Sequence, residues 1–145
     1  MRILVATDGS QHAIRAADLA LRLVRELKQA DVIVVNVGHI PDVALAAAGV
    51  SGGPVDLGGL IESLDQAGKR ILDQVAEVFD GVDIAVRRDY RTGNPAAGIV
   101  EAAREHRADL IVMGSRGLGQ IGGLVLGSVS ERVLHLAHSP VLIVR

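Results

Sequence analysis

The 145-residue chain has no cysteine and no tryptophan, and its aromatic side chains are Phe79 and Tyr90 alone. Without cysteine, neither a disulfide framework nor a thiolate metal site can form. With 49% hydrophobic residues and so few rings, the core must be built from Val, Ile, Leu and Ala. That counts against the aromatic platforms on which single-stranded nucleic acids stack. Lysine is scarce too, Lys28 and Lys69 being the two present, so the G-K-[ST] of a Walker A loop is excluded. No sign of charge dominates: the net charge is −2 and the pI near 6.2. Nucleic acids and anionic membranes therefore have no electrostatic reason to bind. No apolar run approaches the ~20 residues of a membrane helix, and "MRILVATDGS" is too short for a signal-peptide core. The expectation is one soluble, cytoplasmic domain over 1–145.

Five short aliphatic runs read as strands: 3–7, 31–37, 82–90, 109–113 and 141–144. Between them, apolar residues recur at helical spacing, as at Ala13, Ile14, Ala17, Leu21 and Val24, and again at Leu60, Leu64, Ala67, Ile71, Val75 and Val78. A third helix opens at "NPAAGIV", with Asn94 as N-cap and Pro95 at the first position. A short one spans about 129–137. Alternating strands and helices predict a parallel sheet covered on both faces. The third run alternates Val82, Ile84 and Val86 with Asp83, Ala85 and Arg87, as an edge strand does, which suits a flavodoxin-like order 3-2-1-4-5. The fifth, "VLIV", is apolar throughout although that order puts it at the other edge. Something must cover it: a second copy of the chain, or the last helix and a loop. The weakly patterned segment 39–60 reads as a long connection of the kind that forms lids or binding loops.

The segment 114–130, "GSRGLGQIGGLVLGSVS", contains "GLGQIG", a match to the dinucleotide fingerprint G-x-G-x-x-G. That fingerprint needs a helix opening within it and an acidic residue ~20 positions on. Here glycines continue through Gly123, and the distal position falls at Leu142. A dinucleotide site is therefore rejected. The wider spacing is more informative. Gly114 and Gly117 fall where the fourth strand ends, and Gly127 and Ser128 where the last helix begins. The carboxyl edge of such a sheet, where strand order reverses, is where ligands bind. Helix N-terminal N–H groups favour an anion, and glycine admits close backbone approach. The segment thus reads as a phosphate cradle split between a strand end and a helix start.

Ser128 has a second reading, since "SVSE" matches a capping box closed by Glu131. Asp8, in "TDGS", is either a turn acid before an N-cap at Ser10 or a carboxylate aimed at ribose hydroxyls or a divalent cation. His12, near Asp8, could approach a phosphate, though a solvated helix start is the stronger expectation; Arg116, within the glycine loop, could neutralise phosphate charge, with a solvent-facing role at least as expected. His135 and His138 lack a third metal ligand.

"ATDGS", "NPAAGIVEAAREHRADLIVMGSRG", the pattern G-x2-G-x9-G-S over 114–128 and the closing "GSVSERVLHLAHSPVLIVR" resemble the universal stress protein family. The likeness spans essentially the whole chain and is weakest over 39–60. It implies one nucleotide-binding domain over 1–145. It also implies ATP as ligand and a homodimer joined through the last strand, and it permits a divalent ion (Mg2+ or Mn2+) bridging the phosphates. By the same resemblance Asp8 contacts the ribose and Val37 meets the adenine. Met113, Gly114 and Gly117 lie along ribose and phosphates, and Gly127 and Ser128, with Ser130 in addition, bind the phosphates. No general base or arginine finger is identifiable, so binding is expected over turnover. The alternatives are a slow metal-assisted ATPase or nucleotide hydrolase working through Asp8, and a nucleotide-free interaction module.

Overall fold

The computed structural model describes residues 1–27, 29–39, 57–117 and 126–145. Its five parallel strands are β1 (Arg2–Ala6), β2 (Asp31–Gly38), β3 (Ala85–Thr92), β4 (Leu110–Gly114) and β5 (Val141–Val144). They lie in the order β3-β2-β1-β4-β5, as the alternation in the third run predicted. The helices are α1 (Gln11–Glu26), α2 (Leu57–Ala76), α3 (Pro95–Glu105) and α4 (Ser128–Leu136). No helix among the described residues is long and apolar enough to cross a membrane.

The aliphatic runs are strands because both of their faces are covered. In β1, Ile3 and Val5 point into one core and Leu4 and Ala6 into the other. The first core adds Val32, Val34 and Val112 from the sheet. Ala16, Ala17 and Ala20 of α1, Leu72 and Val75 of α2, and Phe79 pack on them. The second sets Ile33, Val35, Ile111 and Met113 against Ala96, Ile99, Ala102 and Ala103 of α3 and Val133 of α4. Alanine-lined helix faces let the helices lie close to β-branched strands, so the core fills without aromatic bulk.

The third strand begins at Ala85, not Val82. The register explains this: β2 starts at Asp31, which pairs with Ala85, so residues 82–84 have no neighbouring strand. They form a turn in which Val82 donates to the Phe79 carbonyl and Ile84 to that of Val82, while Val82 and Ile84 still pack on the first core.

The helix ends follow local chemistry. The Ser10 hydroxyl caps α1 by accepting from the Ala13 amide at 3.2 Å, and the Asn94 side chain caps α3 through Ala97 at 3.1 Å. At the other end of α3, Ala108 donates to the Ala103 carbonyl and Arg107 to that of Arg104, a Schellman closure. Arg107 occupies its left-handed position at φ 52°, where glycine carries no Cβ penalty. Arg107→Gly is expected to stabilise the protein by about 0.5 kcal/mol, read as a small rise in thermal midpoint. A fall would show that the arginine side chain contributes more than its backbone strain costs.

The two sheet edges differ. On β3, Arg87 and Arg88 are exposed, with Arg88 paired to Asp73 of α2 at 2.8 Å. Charge of this kind discourages a further strand from pairing. Asp89 accepts from Arg91 and from His106, both at 2.8 Å. Burial works to raise the pKa of Asp89, but the hydrogen bonds from Arg91 and His106 outweigh it, and the net position lies below the ordinary 3.8. A depressed folded-state pKa contributes stability above the unfolded value, lost as pH falls through the folded one. Asp89→Asn should therefore cost about 1 kcal/mol at neutral pH, and the cost should shrink in acid, at pH below the ordinary 3.8. Urea titrations at the two pH values would test this; an equal loss at both would show that the charge is not what matters. By contrast, all four residues of β5 are half-buried and apolar, and its outer side has no strand beside it among the described residues.

Candidate functional site

A cleft of about 590 Å³ opens at the carboxyl edge of the sheet, across the switch point between β1 and β4. Asp8, Val37, Met113, Gly114, Gly117, Gly127, Ser128 and Ser130 all line it. The fold therefore brings all eight sequence-predicted positions together. Gly119, Gly122, Gly123 and residues 40–56 of the long connection lie outside the described residues.

Asp8 leaves β1 and turns immediately. One carboxylate oxygen accepts from the Ser10 amide at 3.0 Å, so it is indeed a turn acid. The other lies against the glycine segment: a Cβ added at Gly117 would come within 2.6 Å of Asp8 Oδ2. The turn thus uses one oxygen of the carboxylate, and the other faces the glycine segment. The Ser10 hydroxyl donates to the Arg116 carbonyl at 3.3 Å, tying the start of α1 to the same segment.

Gly114 and Gly127 are also fixed by packing. At Gly114 a Cβ would lie 2.7 Å from the His12 carbonyl carbon and 2.9 Å from the Ala13 amide nitrogen. That position is glycine because the first turn of α1 rests on the end of β4. At Gly127 a Cβ would come within 3.3 Å of both the Ser115 carbonyl oxygen and Arg116 Cα. The Gly127 amide donates to that same Ser115 oxygen at 2.8 Å. At Gly114 and Gly127 the missing Cβ lets backbone meet backbone beside the cleft.

The capping-box reading of Ser128 is corrected. Gly127 is the N-cap, and no side chain caps α4. Gly127 itself is extended, but its carbonyl already accepts from the Glu131 amide at 2.9 Å. Ser128 is therefore the first helical residue, exposed at the cleft. An N-terminus without a capping side chain presents donors to an anion. Ser130 is buried, and its hydroxyl donates to the Gly114 carbonyl at 2.9 Å. It fastens α4 to β4 and leaves only its lone pairs for anything in the cleft.

The opposite end of the cleft is apolar. Val37 meets Leu64, Ala67 and Ile71 of α2 and Pro95 and Ile99 of α3 around it. Behind α2, the Tyr90 ring fills the space where Cβ atoms at Gly38 and Gly68 would stand. Burial first, and the neighbouring Asp65 carboxylate second, push its phenol up to about 12, so it stays neutral. Leu64 and Ile71 had the periodicity of core residues, and nothing in their spacing distinguishes a helix face on a core from one on a cleft. Asn36 is a buried lone polar residue inside the aliphatic run "VIVVNVG".

Other polar candidates fall elsewhere. His12 Nδ1 lies 3.0 Å from the Ser115 hydroxyl, away from the cleft lining. His135 ends up exposed in the last turn of α4, and His138 beyond the helix. Among the described residues, no three His, Asp or Glu side chains gather as a metal site. A wider depression of about 1100 Å³ lies at the amino edge of the sheet, lined by Arg2, Arg25, Arg107, Asp31, Asp83 and Asp109 among others. It is away from the carboxyl edge where parallel sheets hold ligands.

The chain matches the profile of the Universal stress protein family over residues 1–145. A universal stress protein of Thermus aquaticus is 40% identical, covering 99% of this chain and 97% of that one. The solved structure of MJ0577 from Methanocaldococcus jannaschii superposes with a TM-score of 0.82 at 26% identity, covering 99% of this chain and 94% of that one. A universal stress protein solved in complex with cAMP superposes with a TM-score of 0.71 at 27% identity, covering 100% of this chain and 97% of the other. Family profile, sequence identity and fold converge, and the chain belongs to the universal stress protein family.

Proposed function

We propose that the protein binds ATP in this cleft as a single nucleotide-binding domain, and that it acts as a nucleotide-dependent regulatory protein of the stress response. The observation that carries the reading is the division of one cleft into an apolar end and a donor end. Val37, Leu64 and Ile71 suit a purine, while the α4 N-terminus, without a capping side chain, and the Gly114–Gly117 segment suit phosphates. Asp8 stands between them, where its carboxylate accepts ribose hydroxyls. The related cAMP complex supports an adenine nucleotide as the class of ligand. Asp8 and His39 are the acidic and histidine side chains lining the cleft among the described residues. Mg2+ is ordinarily held by one or two carboxylates together with substrate phosphates. Asp8 fits that pattern, so a divalent ion would be held jointly by Asp8 and the nucleotide, which supplies charge neutralisation.

The apolar edge of β5 supports a homodimer formed through that strand, which would bury Val141 to Val144. Nucleotide binding then acts as a population shift, favouring whichever arrangement of the cleft walls the ligand holds better.

Native mass spectrometry of protein purified without added nucleotide tests the reading. Co-purifying ATP or AMP, or micromolar ATP binding by calorimetry, is the expected result. An empty protein that also fails to bind ATP would sink it in favour of a nucleotide-free interaction module.

A further inference from the structure

Asn36 is buried within a strand of aliphatic residues, and its side-chain amide has a specific task. The β1–β2 ladder ends where Ala6 pairs with Val35 and the Thr7 amide donates to the Val35 carbonyl at 2.9 Å. Beyond it, Asn36 Nδ2 donates to the Thr7 carbonyl at 2.7 Å. That carbonyl belongs to the Thr7–Asp8 peptide. In a trans peptide the carbonyl and the N–H point in opposite directions. Holding the Thr7 carbonyl toward β2 therefore turns the Asp8 amide toward β4 and the glycine segment. The remaining contacts of the turn depend on that plane: the Gly9 amide donates to Thr7 Oγ1 at 3.1 Å and the Ser10 amide to Asp8 Oδ1 at 3.0 Å.

We infer that Asn36 is the positioning residue of the cleft, aiming the Thr7–Asp8 peptide so that the Asp8 carboxylate faces the ribose. The inference rests on the nucleotide reading above. A side chain that serves only to satisfy a buried carbonyl would affect stability alone; one that aims Asp8 affects the ribose contact in particular. Asn36→Leu removes the donor at similar size and adds no charge. In Asn36→Ala a water can replace the amide, which keeps the test open should the leucine variant not fold.

Calorimetry with ATP and with 2′,3′-dideoxy-ATP, on folded protein verified by circular dichroism, separates the two roles. The expected result for Asn36→Leu is an affinity for ATP reduced about tenfold, as for one lost hydrogen bond. The affinity for dideoxy-ATP, which has no hydroxyls to present to Asp8, should change much less. Equal losses for both nucleotides, or no loss for ATP, would overturn the positioning role while wild-type binding left the nucleotide reading intact. Wild-type protein that binds neither nucleotide would remove that reading and this inference with it.

Discussion

Gly114→Ala is expected to cost about 1–3 kcal/mol of stability, the range for forcing an extra methyl into a packed interior. The added Cβ would stand 2.7 Å from the His12 carbonyl carbon, 2.8 Å from His12 Cβ and 2.9 Å from the Ala13 nitrogen. Two of these three are backbone atoms in the first turn of a helix, so no side-chain rotation relieves the contact. Relief requires α1 to slide off β4. That would strain the Ser10 cap on Ala13 and the Ser10 bond to the Arg116 carbonyl, so affinity for nucleotide should fall with stability. Gly98→Ala is the control. There the nearest atoms are Val37 methyls at 3.0 and 3.1 Å, which can yield, and alanine gains about 1 kcal/mol of helix propensity. Urea unfolding of the two variants should separate them clearly. A Gly114→Ala cost under about 0.5 kcal/mol would mean that α1 is not held by β4 as the packing suggests.

Asp8→Asn should weaken ATP binding by roughly 10- to 100-fold while leaving the fold nearly unchanged. Hydrogen bonds to a charged group contribute about 1.5–3 kcal/mol, which sets that range. The carboxamide oxygen still accepts from the Ser10 amide, so the turn that Asp8 closes at 3.0 Å survives. Loss of affinity with an unchanged thermal midpoint is therefore the signature of a ligand contact. Loss of both together would assign Asp8 to the turn alone, and unchanged affinity would remove it from the site. Titration with and without Mg2+ distinguishes the two uses of the carboxylate. A contact to ribose is lost under both conditions, whereas a metal role makes the variant's deficit depend on the ion.

Much of the architecture was legible because the signals are local. Continuous aliphatic runs meant strands covered on both faces, and Ser10 and Asn94 marked helix starts that the structure places as caps. The alternation at Val82, Ile84 and Val86 put the third strand at an edge, though the strand begins only where β2 offers Asp31 as a partner. The glycine spacing pointed to one carboxyl-edge site, and Asp8, Val37, Gly114 and Gly127 do share a cleft.

What remained hidden depends on contacts between segments far apart in the chain. The choice of Gly127 over Ser128 as N-cap follows from backbone geometry that the letters "GSVSE" leave open. The α2 wall of the cleft reads in sequence like any core-facing helix. Taken alone, the sequence determined the fold class and the strand order, because hydrophobic periodicity and turn chemistry act over a few positions. The glycine spacing placed Gly114, Gly117, Gly127 and Ser128 at one site, and the family resemblance added Val37, Met113 and Ser130. Only the tertiary structure decided why those residues take the roles they do. Gly114 is glycine because α1 lies on it, Ser130 is a fastener to β4, and Asn36 holds the peptide of Asp8. Each of these rests on a close approach between chain segments that neither periodicity nor motif spacing encodes.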